Sequence, residues 1–277
     1  MTVKQIWTVA AALAVAGMIG VQAAQAAELW VGGNAPNGSI YGVGRVPTTG
    51  GTVSPEFSAA DDALKVTALA FDFGNKILYG TYGNNSSESK VFVVDQTDGT
   101  HSNVTTFSGR DWIGGLTYGN GKLYGSQAKG ANSLLFEIDL TSPGVFAGTT
   151  SNEVVVDITG GRLDGLAFNT ATGVMYGASE TGEISTVNPA DGSNSFIADL
   201  GSVQIVDIAF SGGSIYAGNI SNFKLMSMDL AGTVTDHGVL STNLGRINAW
   251  APVPEPASLA LLSLGGLLML RRQRRQA

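Results

Sequence analysis

The sequence predicts an all-β protein in which many short strands are joined by tight turns. Glycine accounts for 38 of the 277 residues, about double the usual share of ~7%. Charged residues make up only 13%, compared with ~25% in an average chain. Apolar runs bounded by Gly, Asn and Asp recur along the body, and no stretch of it has a convincing apolar period of 3.6 residues. This pattern favours strands that are buried on both faces.

A repeat of four strands organises this body. The first strand of each unit carries a small residue between two large ones, at Leu69-Ala70-Phe71, Leu116-Thr117-Tyr118, Leu166-Ala167-Phe168 and Ile208-Ala209-Phe210. A second strand follows after a turn, at Leu78-Tyr79-Gly80, Leu123-Tyr124-Gly125, Met175-Tyr176-Gly177 and Ile215-Tyr216-Ala217. The turns between them contain Gly74-Asn75, Gly119-Asn120-Gly121, Thr172-Gly173 and Gly212-Gly213, residues that accept the positive φ of a tight hairpin.

Antiparallel units of four strands, repeating every 40 to 50 residues, are typical of β-propeller blades. Leu29-Trp30-Val31-Gly32 resembles a second strand without a first, and Asn248-Ala249-Trp250 matches the first-strand pattern without a blade of its own. We therefore predict a five-bladed β-propeller closed by pairing of the N- and C-terminal strands, which removes an open sheet edge. The alternative is an open or six-bladed array with one degenerate blade.

The amino terminus has the layout of a signal peptide. Lys4 precedes an apolar stretch, and Ala24-Gln25-Ala26 offers the small residues of a cleavage site. We expect signal peptidase to cut after Ala26, and the alternative is an uncleaved membrane helix.

The carboxyl terminus has the layout of a sorting signal. Pro254-Glu255-Pro256 is followed by an apolar run over residues 257–270 and then by Arg271, Arg272, Arg274 and Arg275. This tail resembles the sorting signal of the PEP-CTERM proteins of Gram-negative bacteria. The resemblance implies export, processing by an exosortase-type enzyme and a cell-surface or exopolysaccharide-matrix location.

The apolar run of the tail is short for a permanent anchor. As a helix its 14 residues would span about 21 Å, less than the ~30 Å hydrocarbon core of a bilayer. We expect a transient membrane passage, with a permanent tether as the alternative. The chain thus divides into a signal peptide at 1–26, a propeller body at 27–252 and a sorting signal at 253–277.

The charge and composition of the body exclude several classes of partner. Setting aside Lys4 and the four tail arginines leaves 10 of the 15 basic residues, and setting aside Glu255 leaves 21 of the 22 acidic ones, so the body has a net charge of −11. Such a body repels phosphate backbones, and we expect no nucleic-acid partner. The absence of cysteine excludes disulfides and a thiol nucleophile. No motif for a cofactor is present, and the two histidines, His101 and His237, lack the spacing of a metal site.

Polar residues just before the first strands are the candidate binding residues. In a propeller, the loops that lead into these strands line one mouth of the central channel. Mixed carboxylate, guanidinium and indole groups suit a carbohydrate, because polar groups bind its hydroxyls while an aromatic face covers its apolar side. The candidates are Asp111, Trp112, Arg162, Asp164 and Asp207. The structural alternative is that they cap strands and form ion pairs between blades.

Three functions remain open at this point. We expect a non-enzymatic module that binds glycan or protein, because no catalytic constellation is present. A propeller hydrolase or lactonase that uses Asp111, Asp164 and Asp207 is the second, and rests on the fold alone. The third is a passive structural component of the envelope.

Overall fold

The computed structural model describes residues 28–34, 41–59, 66–83, 88–96, 100–130, 132–201, 204–242 and 246–253. They lie in one compact unit, Glu28–Val253, which contains twenty strands and, within these ranges, no helix. In chain order the strands are β1 (Glu28–Asn34), β2 (Tyr41–Pro47), β3 (Ser54–Ala59), β4 (Ala68–Asp72), β5 (Ile77–Gly83), β6 (Glu88–Val94), β7 (His101–Ser108), β8 (Ile113–Gly119), β9 (Lys122–Lys129), β10 (Asn132–Ser142), β11 (Val145–Val156), β12 (Leu163–Asn169), β13 (Val174–Ser179), β14 (Glu183–Val187), β15 (Asn194–Asp199), β16 (Ile205–Ser211), β17 (Ser214–Asn219), β18 (Lys224–Asp229), β19 (Val234–Val239) and β20 (Arg246–Pro252).

The strands form five four-stranded antiparallel sheets in the described part of the chain. Blade 1 has the strand order β20-β1-β2-β3, and blades 2 to 5 run β4 to β7, β8 to β11, β12 to β15 and β16 to β19. The first strands β4, β8, β12, β16 and β20 contact one another in a closed ring. The predicted five-bladed propeller is therefore confirmed, including its closure by a terminal strand.

The register of the closing pair differs from the predicted one by two residues. In three complete blades Tyr79 pairs with Ala70, Tyr124 with Thr117 and Tyr176 with Ala167. Trp30 is the aromatic residue of the second strand in blade 1, and it pairs with Ala251. The residues equivalent to Leu69-Ala70-Phe71 are therefore Trp250-Ala251-Pro252, and the match to Asn248-Ala249-Trp250 was wrong. A shift of two keeps every side chain on its own face of the sheet, which is why the error left the strand assignment intact.

Most of the predicted hairpin turns have the expected backbone. Positive φ occurs at Asn120, Gly121, Gly173, Gly212 and Gly213. In blade 2 the positive φ falls on Lys76 instead of Gly74 or Asn75. There the Asp72 carboxylate accepts hydrogen bonds from the backbone N–H of Gly74 at 2.8 Å and of Asn75 at 3.1 Å. With the Asp72 side chain bonded to these two N–H groups, the residue with positive φ is Lys76, one position after Asn75.

Among the residues that the structure describes, the hydrophobic core is divided into five clusters, each lying between two neighbouring blades. Between blades 2 and 3, Tyr79 and Phe107 pack with Leu116 and Phe136. Between blades 5 and 1, Ala209 and Leu225 pack with Val31 and Trp250. The remaining three clusters join blades 1 and 2, 3 and 4, and 4 and 5. Apolar burial therefore stabilises the contacts between blades, and a single isolated blade would lose most of it.

Candidate functional site

The first strands begin at one mouth of the ring, which is called the N-terminal mouth below. A register shift recurs near this mouth in several blades. The register of the first strand shifts between Ile113 and Gly115, between Leu163 and Gly165, and between Ile205 and Ile208. In blade 1 the shift lies opposite Gly32 and Gly33. A bulge adds an unpaired residue and re-aims its side chain. The extra residues here include Gly114, Asp164 and Asn248.

Asp164 is the carboxylate that the bulge of blade 4 directs into this mouth. Its residue exposure is 8%, and one of its oxygens lies 3.5 Å from Nη2 of Arg162. Burial raises the pKa of Asp164 from 3.8 to about 6, with Arg162 lowering it and Glu180 raising it. A carboxyl group with this pKa exchanges its proton near neutral pH, so Asp164 is the chemically most distinctive group of the mouth.

Arg162 joins two acidic residues of its own blade, Asp164 and Glu180. Its Nη2 lies 2.7 Å from Oε2 of Glu180, and its Nε donates to the same oxygen at 2.9 Å. The interaction with Asp164 is the largest cause of the raised pKa of Arg162. Glu180 belongs to the turn between β13 and β14, where the repeat pattern gave no reason to look for a site residue. Sequence reasoning therefore missed it.

The indole of Trp112 and the backbone of Asp164 both lie close to Gly114. A Cβ atom placed on Gly114 would lie 3.2 Å from Nε1 of Trp112 and 3.4 Å from the backbone oxygen of Asp164. Trp112 is partly buried, so part of its surface remains in contact with solvent. The absence of a side chain at Gly114 thus leaves an indole close to β12, which carries Asp164 and which Arg162 directly precedes.

Asp111 lies at the same end of the fold but is bound to its own blade. One carboxylate oxygen accepts a hydrogen bond of 3.0 Å from Nε2 of Gln127. Arg110, its neighbour, reaches Thr150 at 2.7 Å and Glu153 at 2.8 Å, and lies over the ring of Phe136. Asp111 itself is exposed. It therefore forms the outer rim of the mouth.

Asp207 lies inside the ring and has no exposed surface. Its carboxylate accepts backbone hydrogen bonds from Ile208 at 2.9 Å, Trp250 at 2.9 Å and Leu69 at 3.3 Å. Burial raises the pKa of Asp207 well above its usual range, and the backbone N–H donors oppose that rise. The structure thus separates Asp207 from the other four predicted residues, which all lie around the mouth.

The channel itself offers almost no space. The cavity between the first strands measures about 10 Å³, close to the minimum of ~10–15 Å³ that one water molecule needs. Its walls are strand backbone together with side chains such as Phe71, Tyr118, Phe168 and Phe210. This cavity is therefore too small for a ligand larger than water.

Neither histidine is grouped with other metal ligands. His237 makes a hydrogen bond of 2.7 Å with Ser227, and the ring of His101 lies 4.4 Å from that of Phe92. Within the described ranges, no group of three or more His, Asp or Glu side chains is placed to hold a metal ion. The same residues include no helix of the length and hydropathy needed to cross a bilayer.

Several predicted functional residues fall outside the described ranges. They are the signal-cleavage residues Ala24 and Ala26 and the sorting residues Pro254, Glu255, Pro256, Arg271 and Arg272. The last described residue, Val253, donates a backbone hydrogen bond of 3.2 Å to Glu28, so the closing strand leads directly into the sorting segment.

Comparison with solved structures shows what the body resembles. It is similar to a chain of the crystal structure of a nidogen/laminin complex, with 12% identity, a TM-score of 0.55 and coverage of 82% of this chain and 98% of that one. It is also similar to virginiamycin B lyase from Staphylococcus aureus, with 11% identity, a TM-score of 0.44 and coverage of 82% and 71%. A third similar structure is Myxococcus xanthus glutaminyl cyclase, with 12% identity, a TM-score of 0.45 and coverage of 73% of this chain and 75% of that one. The first likeness shows a shared fold, and the other two TM-scores are too low to support an argument.

Comparison by sequence identifies the tail. No curated protein matches the chain. Residues 252–275 match the family model described as the PEP-CTERM protein-sorting motif, which covers the predicted tripeptide, apolar run and arginines. The motif implies export, processing by an exosortase, and association with the cell envelope or the extracellular space. The protein is thus a five-bladed β-propeller that carries a PEP-CTERM sorting motif at its carboxyl end.

Proposed function

We propose that this exported propeller is a non-enzymatic module of the cell surface or exopolysaccharide matrix that binds a glycan at its N-terminal mouth, with a matrix protein as the alternative ligand. The observation that carries the proposal is the closeness of the Trp112 indole and the Asp164 backbone to Gly114. A partly exposed indole near a strand that carries a carboxylate, with a guanidinium just before that strand, suits a sugar, since an aromatic face covers C–H groups and the polar groups bind hydroxyls.

Two further features support binding at this mouth. The cavity of about 10 Å³ between the first strands is too small for a sugar. Arg162 is half-exposed while it contacts Asp164 and Glu180, so its remaining N–H groups can donate to a ligand without breaking the ion pairs.

One observation favours an enzyme instead. The pKa of Asp164, raised to about 6, suits a general acid or base. The remaining carboxylates predicted for a hydrolase or lactonase do not support it, because Asp207 is buried on the axis and Asp111 is held by Gln127 at the rim. A passive envelope component is the third candidate.

Binding to a glycan array and retention on isolated matrix polysaccharide test the proposal. The wild-type protein should be retained, and Trp112→Ala and Asp164→Asn should each weaken binding by about tenfold or more, equivalent to ~1.4 kcal/mol. The matched controls are Phe196→Ala, an aromatic residue that is 58% exposed on β15, and Asp191→Asn, an exposed turn residue. Both should bind as wild type.

The same preparation should also be screened for hydrolase and lactonase activity. Turnover that Asp164→Asn abolishes, without retention on any glycan, would favour the enzyme. If matrix proteins are captured in place of glycans, and Trp112→Ala abolishes that capture, the ligand is a protein. If neither retention nor turnover is found, the passive envelope component is the remaining explanation.

A further inference from the structure

Asp207 occupies a position that the other four blades fill with glycine or alanine. The equivalent residues directly precede the first large apolar residue of each first strand, and they are Ala68, Gly115, Gly165 and Ala249. Space here is restricted, since a Cβ on Gly165 would lie 3.0 Å from the Asp207 backbone. One blade in five therefore places a carboxylate at this crowded position of the ring.

Every hydrogen-bond partner described for this carboxylate is a backbone N–H group. Oδ1 accepts from Ile208, while Oδ2 accepts from Leu69 and Trp250, and the amide of Leu166 also donates to the side chain. These four donors belong to the first strands of blades 5, 2, 1 and 4. They occupy equivalent positions, so the repeat itself aims a ring of N–H groups at the axis.

A ring of donors needs an acceptor that carries no proton. Buried N–H groups that lose their partner are costly, whereas a carboxylate can accept several at once. The same geometry disfavours an amide side chain, because its NH₂ group would face donors. The donor set therefore fits a carboxylate, and these N–H groups oppose the rise in the pKa of Asp207 that burial causes.

We propose that the propeller axis is an anion site whose built-in occupant is the Asp207 carboxylate, and that this internal anion connects the closing strand β20 to β4 and β16. The site takes a small inorganic anion when the carboxylate is removed. Asp207 is then a structural residue of ring closure and not a residue that contacts a ligand at the mouth.

Replacement of the carboxylate in the full-length chain tests the proposal. Asp207→Ala should lower Tm by about 10 °C, because several buried N–H groups lose their acceptor. Chloride, which is similar in size to a carboxylate group, should restore part of that loss when it replaces gluconate at constant ionic strength. The amides of Leu69 and Trp250 should exchange hydrogen faster in the variant and slow again with chloride.

Two further variants keep the test decisive. Asp207→Asn keeps the volume and should also be strongly destabilised, even if Asp207→Ala does not fold. Asp164→Ala removes another buried acid and should show no specific response to chloride. The proposal is overturned if Asp207→Asn is as stable as wild type, or if Asp207→Ala folds and its Tm is equal in chloride and gluconate.

Discussion

At the residue scale, the strongest functional signal is the pKa of Asp164. Its pKa in the folded protein is about 6, above its ordinary value of 3.8. The folded state therefore binds more protons than the unfolded state between these two values. It follows that this residue makes folding less favourable as pH rises through that window.

The pH dependence of stability should reveal this residue directly. Between pH 4 and pH 6 the wild-type free energy of unfolding should fall relative to that of Asp164→Asn, by up to ~3 kcal/mol for a shift of about two pKa units. Urea unfolding of both proteins at several pH values measures the difference. Parallel pH profiles would contradict the raised pKa.

A glycine on β8 offers a second test at this scale. A Cβ on Gly119 would lie 2.2 Å from the ring of Phe168 in the next blade, so the two blades approach as closely as a missing side chain allows. Gly119→Ala should lower the free energy of unfolding by about 1–3 kcal/mol through overpacking. Denaturant unfolding measures this, with the exposed Thr170→Ala as control, and an unchanged midpoint would show that Phe168 can move aside.

At the scale of elements, the sequence predicted strands and turns better than it predicted the site. The repeat identified the first and second strands of four blades because each carries an apolar-small-aromatic or apolar-Tyr pattern. The predicted register of β20 was wrong because the equivalent segment, Trp250-Ala251-Pro252, lacks the aromatic residue that ends the pattern in the other first strands. The bulges were not predicted, since the extra residue is Gly, Asp or Asn and no common signal marks it.

The candidate site was predictable only in part for the same reason. The rule that loops before first strands line one mouth grouped Asp111, Trp112, Arg162 and Asp164, and their role in binding stays a prediction. It could not separate Asp207, because one position along a bulged strand decides whether a carboxylate faces the mouth or the axis. Glu180 lies on a turn between other strands, and only the distance to Arg162 reveals it.

The closing strand itself should be a weak point of the fold. Trp250 is fully buried between blades 5 and 1 and packs on Gly218. Trp250→Ala should lower the free energy of unfolding by about 3–5 kcal/mol. It should also speed proteolysis of the terminal blade. Phe196→Ala, exposed on β15, should change stability by less than ~0.5 kcal/mol, and equal losses in both variants would argue against a special role for β20.

At the scale of the whole molecule, the two ends of the body meet in one sheet. Val253 donates to the backbone oxygen of Glu28, and five clusters of apolar side chains hold the blades in sequence around the ring. Because the apolar clusters join each blade to its two neighbours, the point at which the chain is cut should matter little, provided that the ring is complete.

A circular permutant tests this directly. Joining Val253 to Glu28 by a short glycine linker and opening the chain after the exposed Gly201 should preserve the fold. We expect a far-UV circular dichroism spectrum like that of the parent and a Tm within about 5 °C of it. Loss of cooperative unfolding would mean that the native order of synthesis is needed for assembly.

The position of the closing strand has a consequence for secretion. Blade 1 lacks its innermost strand until residues 246–252 are available, and the sorting motif begins at residue 252. A chain that ends before residue 246 would therefore lack both the closing strand β20 and the sorting motif. The last strand of the ring and the sorting motif are thus encoded in adjoining residues, so a chain that lacks one also lacks the other.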